Sequence, residues 1–241
     1  TVQAGEVHSI VGENGAGKST LMKVLAGVHQ PGTGSILIDG ATVSFTHPVN
    51  AQHHGIGMVY QELVLLPERT VAQNLFLGRE PGSAFWTRQT KMNHDTSRLL
   101  DRLGVGNVIR PEQRLGDLSV AAQQMVEIAK ALSQDVRVLI LDEPTAALSL
   151  AESEMLFAIL RGLAEDGIGI LYISHRLQEV LEISDTVTVL KDGRLVDTVP
   201  ASSLDIDRMV RMMVGRELGS YFPPRRDEQA RILVQNAQAA E

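Results

Sequence analysis

Short, almost wholly apolar runs alternate along this chain with longer segments whose apolar residues recur every three or four positions. Residues 7–11, 56–60, 137–143 and 168–173 are of the first kind and read as buried strands. The run at 137–143 is the most apolar, and its lack of alternation suits the centre of a parallel sheet covered on both faces. The spacing predicts helices over 21–26 (ending at Gly27), 48–54, 151–165, 176–181, and 119–132 through Met125, Ile128, Ala129 and Leu132. Residues 35–40 alternate as an edge strand, and 186–190 and 195–198 read as further strands. From Thr70 to about Leu103 the pattern is helical, interrupted at Pro81-Gly82, with residues 93–100 as an amphipathic surface helix. Strands alternating with helices predict an α/β domain with a mainly parallel sheet. The stretch of about 75–120 lacks a strong strand and is expected to form a separate helical lobe. Residues 217–228, with Pro223-Pro224-Arg225-Arg226, read as a linker, and 231–235 as the first strand of a further unit.

Composition narrows the classes. A hydrophobic content of 44% over 241 residues is ordinary for a globular domain. No apolar run approaches the roughly 18 residues that span a bilayer. With no cysteine, disulfides and thiolate metal sites are excluded, and a reducing cytoplasm fits. The net charge of −7 argues against a nonspecific nucleic-acid binder, so no nucleic-acid partner is expected.

Between the first strand and the first helix lies Gly12-Glu13-Asn14-Gly15-Ala16-Gly17-Lys18-Ser19-Thr20, a match to G-x-x-x-x-G-K-[S/T]. Glycines at 12, 15 and 17 are expected to take backbone angles closed to other residues, letting N–H groups crowd round an anion. The helix starting near Lys18 aims about half a positive charge at the same place. Lys18 adds a full charge for the terminal phosphates, and the Ser19 hydroxyl suits Mg²⁺. Asp142 and Glu143 close the apolar strand at its carboxyl end, where open α/β sheets bind ligands. Asp142 suits a Mg²⁺ shell and Glu143 a base that orients water. His175 and Gln61 also follow strands; the histidine could reach a terminal phosphate or the water, the glutamine Mg²⁺ or the water. His8, His29, His47 and His94 have no evident partners, His53 and His54 diverge, and Trp86, Met209, Met212 and Met213 read as packing.

In order, these motifs resemble the ATP-binding subunit of ABC transporters over nearly the whole chain. Gly12 to Thr20 is similar to Walker A, Gln61 to the Q-loop glutamine, residues 118–124 (LSVAAQQ) to the signature, 138–143 to Walker B, 145–149 to the D-loop, and His175 to the switch histidine. Residues 57–63, 73–78 and 125–130 resemble bacterial sugar importers of the ribose, galactose or xylose type, in which one polypeptide carries two ATPase halves.

That resemblance implies a P-loop NTPase of the ABC type: a mainly parallel sheet, an antiparallel β subdomain and an inserted helical lobe. It implies an ATPase domain over 1–216, the linker, and from 229 the start of a second half. Glu143, His175 and Gln61 become catalytic; the phosphate loop, with Ser119, Val120 and Ala121, holds ATP; Ser19, Gln61 and Asp142 hold Mg²⁺. The expected activity is ATP hydrolysis driving sugar import, at the cytoplasmic face of the cell membrane. Implied partners are membrane permease subunits, indirectly a sugar-binding protein, and a second ATPase half or a second copy. Three departures stand out: Val120-Ala121-Ala122 in the signature, Ser149 at the D-loop aspartate, and an adenine-stacking aromatic expected upstream of Thr1. Competing readings are an ABC-type ATPase of translation or DNA repair without a membrane partner, a kinase using the same loop, and a nucleotide-binding half with little turnover.

Overall fold

In the computed structural model, which describes residues 1–83 and 86–214, β1 (Val7–Val11) passes through the glycine loop into α1 (Lys18–Leu25). The helix stops where Gly27 takes φ 71°. There Gly27 N–H donates to Val24 O and Val28 N–H to Lys23 O, the paired bonds of a Schellman end. The antiparallel hairpin β2 (Ile36–Ile38) and β3 (Ala41–Val43) follows, then α2 (Pro48–His53), β4 (Ile56–Val59) and α3 (Val71–Leu75). A small hairpin, β5 (Gly82–Ser83) with β6 (Trp86–Thr87), leads to α4 (Gln89–Arg102). Next come α5 (Val120–Leu132), β7 (Val138–Asp142), α6 (Leu150–Glu165), β8 (Gly169–Ile173) and α7 (Leu177–Ile183). The described chain closes with β9 (Thr186–Lys191), β10 (Arg194–Pro200) and α8 (Ile206–Val214).

The main sheet has the order β10-β9-β1-β8-β7-β4, parallel throughout except for β10. Strand alternation sends its side chains to two faces. Leu139, Leu141, Ile170 and Tyr172 enter one cluster with α5 and α6, while Ile140, Leu171 and Ile173 enter another with Met22, Ala51 and Phe45. Burial on both faces is why 137–143 carries an unbroken apolar run. The helical stretch shares the first cluster: Val71, Leu75, Leu100, Leu103 and Ile109 pack together with Val126 and Ile128 of α5. A third cluster joins Val180, Val187 and Val189 to Met209, with Met212 and Met213 against it.

One expectation is corrected and one helix was not anticipated. Residues 70–103 hold two helices with a hairpin between them: α3, capped by Thr70 with Gln73, gives way to Gly78 at φ 74° before Pro81. The helix α8 was not anticipated, although Ile206, Met209, Val210 and Met213 recur at helical spacing between Asp207, Arg208 and Arg211. The side chain of Trp86, the linker at 217–228 and the strand at 231–235 lie outside the described residues.

On its buried face α5 carries Glu127, 4% exposed, whose Oε2 has no hydrogen-bond partner among the described residues. Burial pushes this carboxyl above its ordinary range, only partly offset by Lys130. A carboxyl raised on folding stabilises the protein below its unfolded pKa and loses that contribution as pH rises through the native one. Glu127→Gln should therefore raise thermal stability by about 1 kcal/mol, or ~3 °C, at neutral pH. Melting curves against pH should show the gain fading towards pH ~4, the ordinary range of a glutamate.

Candidate nucleotide site at the carboxyl ends of the strands

Just beyond β1 the chain must pass beneath the hairpin that joins β9 to β10. A Cβ at Gly12 would lie 2.4 Å from Leu190 O and 3.0 Å from the Ala16 Cβ. Only a hydrogen fits. Gly12 is thus required by close approach, unlike Gly15 (φ 84°) and Gly17 (φ 97°), which take the left-handed conformation expected of them. Gly193 N–H in the hairpin turn donates to Ala16 O at 3.1 Å and braces the loop. Lys18 is buried, and its Nζ donates to Gly12 O at 2.8 Å and Glu13 O at 3.1 Å. Gly17 caps α1 with no side-chain hydrogen bond, so no side chain claims the first-turn N–H groups.

At the end of β7 the two acids part. Asp142 closes the strand, 8% exposed, while Glu143 turns to φ 49° and its N–H donates to Ile173 O at 2.9 Å. This left-handed step at a non-glycine costs about 1–2 kcal/mol, and it swings the Glu143 carboxylate out over the strand ends. There Gln61 Nε2 donates to Glu143 Oε2 at 3.3 Å, and His175 Nδ1 lies 3.2 Å from Glu143 Oε1. Three residues far apart in sequence therefore meet at one carboxylate. Burial pushes the Asp142 carboxyl above its ordinary range, with Glu143 adding to the effect; the Ser19 hydroxyl, Lys18 and Lys23 draw it back. Asp142, Ser19 and Lys18 accordingly share one electrostatic neighbourhood.

The signature residues stand elsewhere. Ser119 caps α5, its Oγ accepting from Ala122 N–H at 3.2 Å, and Val120 is 49% exposed. α5 packs on β4 and α3, and β4 is separated from β1 by β7 and β8. Among the described residues no hydrogen bond joins Ser119, Val120 or Ala121 to the phosphate loop. Ser149, at the D-loop departure, caps α6 through a reciprocal pair with Glu152. A side-chain cap is a task that serine and aspartate do equally well.

Sequence reading missed three residues. His8 is buried, with Nε2 2.7 Å from Thr188 Oγ1 and Nδ1 3.1 Å from Glu6 Oε1. His47 caps α2 by accepting from Val49 N–H, a role its place just before Pro48 signals. Glu179 gathers the hydroxyls of Thr145, Tyr172 and Ser174; its only sequence signal is Arg176 three residues earlier. Gly12→Ala should cost about 2–3 kcal/mol by forcing the hairpin off the loop. Gly32→Ala, with nothing within 4 Å of the new Cβ, should leave the denaturation midpoint unchanged.

Known proteins resemble this chain in sequence and in fold. The family model for ABC transporters matches residues 1–146. A ribose import ATP-binding protein of Rubrobacter xylanophilus is 50% identical over 231 residues, covering 96% of this chain and 46% of that protein. One of Bacillus licheniformis is 46% identical over 240 residues, covering 99% of this chain and 48% of its own length. The chain spans about half the length of the curated relatives it matches. Among solved structures, the ADP conformation of an ATP-binding cassette of an ABC transporter superposes with a TM-score of 0.76 at 26% identity, covering 89% of this chain and 90% of that one. A nucleotide-free cassette gives 0.75 at 25% identity, covering 89% and 86%. With that family model matching residues 1–146, more than half of its length, the chain belongs to the ABC transporter family.

Proposed function

We propose that this chain binds and hydrolyses ATP and that the energy drives import of a sugar across the cytoplasmic membrane. The observation that carries the hydrolytic part is the Glu143 carboxylate held between Gln61 and His175, on the same strand ends as Lys18 and Asp142. The import part rests on the names of relatives 46–50% identical, which are ribose import ATP-binding proteins.

The residues divide the work by chemistry. Gly12 to Thr20 supply backbone donors, and Lys18 exchanges the Gly12 and Glu13 carbonyls for phosphate oxygens. Glu143 orients the attacking water and accepts its proton, work worth roughly 10²- to 10⁴-fold. His175 and Gln61 hold Glu143 in place and border the terminal phosphoryl group. Magnesium fits the donor set: the Ser19 hydroxyl, the Gln61 amide oxygen and the Asp142 carboxylate are all hard oxygens. Among the described residues no group of three or more His, Cys, Asp or Glu forms a closed cage, and Mg²⁺ favours one or two carboxylates plus phosphates. Asp142, a buried carboxylate whose charge is disfavoured, is the anion that such a cation relieves. When bound, the ion neutralises charge on the phosphate oxygens.

Ser119, Val120 and Ala121 then serve a second ATPase unit, offering the N-terminus of α5 to the nucleotide held there. Permease subunits in the membrane and, through them, a sugar-binding protein complete the assembly, with this chain at the cytoplasmic face. No described helix is long and apolar enough to cross the membrane itself.

Two measurements test the reading. Glu143→Gln should bind ATP as tightly as the parent while phosphate release falls at least 100-fold; undiminished turnover would remove Glu143 from the catalytic role. Lys18→Ala should weaken ATP binding by about tenfold or more in calorimetry, and an unchanged Kd would refute the assignment of the phosphate loop.

A further inference from the structure

Behind Glu143 and His175 lies a second carboxylate that touches neither of them. We propose that Glu179 is a positioning residue for hydrolysis: it ties together the two loops from which Glu143 and His175 project. The inference rests on reading Glu143 and His175 as the water-activating pair.

Glu179 Oε2 accepts from Thr145 Oγ1 at 2.7 Å, Tyr172 Oη at 2.9 Å and Ser174 Oγ at 3.2 Å. Its Oε1 accepts from Arg176 Nη1 at 3.0 Å. Thr145 lies two residues after Glu143, and Ser174 immediately before His175. The loop after β7 and the loop after β8 are thus fastened to one side chain on α7. Arg176 closes the frame: its Nη2 donates to Ala146 O at 3.4 Å, and its N–H donates to Ser174 Oγ at 3.0 Å. Thr145 is 1% exposed, Ser174 2% and Tyr172 0%, so water cannot replace these bonds.

Every partner of Glu179 is a donor: three hydroxyls and a guanidinium. A carboxylate accepts on both oxygens. An amide turns an NH₂ towards one side of the frame, where it meets another donor. A frame missing one strut lets the loops shift, and displacement by about 1 Å at a reacting group costs ~10²-fold in rate. Nucleotide affinity should survive, because the phosphate loop lies after β1 and makes none of these bonds.

The test uses the full-length protein assembled with its permease. Glu179→Gln should lower kcat for ATP hydrolysis by about 10- to 100-fold with KM within twofold, and Glu179→Asp should recover part of the loss. In a His175→Ala background the same change should cost less than it does in the parent, because one of the two loops it aligns no longer carries a catalytic side chain. A solely structural role would give losses that multiply, and that outcome overturns the inference, as does full activity in Glu179→Gln or a rise in KM without a fall in kcat. Thr145→Val removes one strut while leaving Glu179 in place. It should lower kcat by about threefold even if Glu179→Gln proves unstable, and unaltered kcat would count against the frame. Glu143→Gln in the same assembly separates the two levels. If it retains turnover, the reading of the site fails and this inference with it. If it is inactive while the Glu179 and His175 losses multiply, only the inference fails.

Discussion

Parallel pairing of β1, β8, β7 and β4 puts four carboxyl ends on one side of the sheet, with neighbouring strands about 4.8 Å apart. Everything attributed to the site hangs from those ends: the phosphate loop after β1, Ser174 and His175 after β8, Asp142 and Glu143 at β7, and Gln61 after β4. Four strands in register cover about 14 Å, so the groups at their ends lie side by side along one edge of the sheet. An antiparallel arrangement would send alternate ends to opposite sides and scatter these groups. The pairing in turn depends on apolar burial of both faces, since parallel sheets persist only where helices cover them.

Within that frame each polar group is secured by a different device. Lys18, buried, is satisfied by loop carbonyls. Glu143 is carried out of the strand by a left-handed backbone step and is then held by Gln61 and His175. Asp142 is the opposite case, a carboxylate whose ionised form is penalised by burial and by its neighbour. Such a group weakens the protein, which is the stability cost that binding sites commonly carry. Glu179, with four donors around it, is the best-satisfied acid in the region, as a strut between loops must be.

Much of this could be read from the chain. β1, α1, β7 and α6 came from apolar runs and helical spacing, and the phosphate loop from its glycines, because those signals are local. The hairpin between α3 and α4 was not legible, since its strands are two residues each and carry no alternation to detect. The helix α8 was legible but not read: Ile206, Met209, Val210 and Met213 recur at helical spacing, and Met209 packs with Val180 and Val187. Of the two partners of His8, Thr188 lies 180 residues away on the neighbouring strand β9 and was not legible, whereas Glu6, two residues before it, was a local signal left unread. For Gly12 the reason was wrong although the residue was right: its need is space beneath the Leu190 carbonyl, which no reading of positions 12–20 reveals.

Residue order alone indicated most of the elements, the parallel class of the sheet and the phosphate-loop motif, since each follows from forces acting within a turn or a strand: propensity, periodicity, backbone freedom. Which distant groups meet was left to the folded chain. Gln61, Glu143 and His175 converge because β4, β7 and β8 are neighbours, and Glu179 joins two loops because α7 packs beneath them. Contacts of that kind depend on strand order and side-chain direction in three dimensions, which linear spacing does not encode.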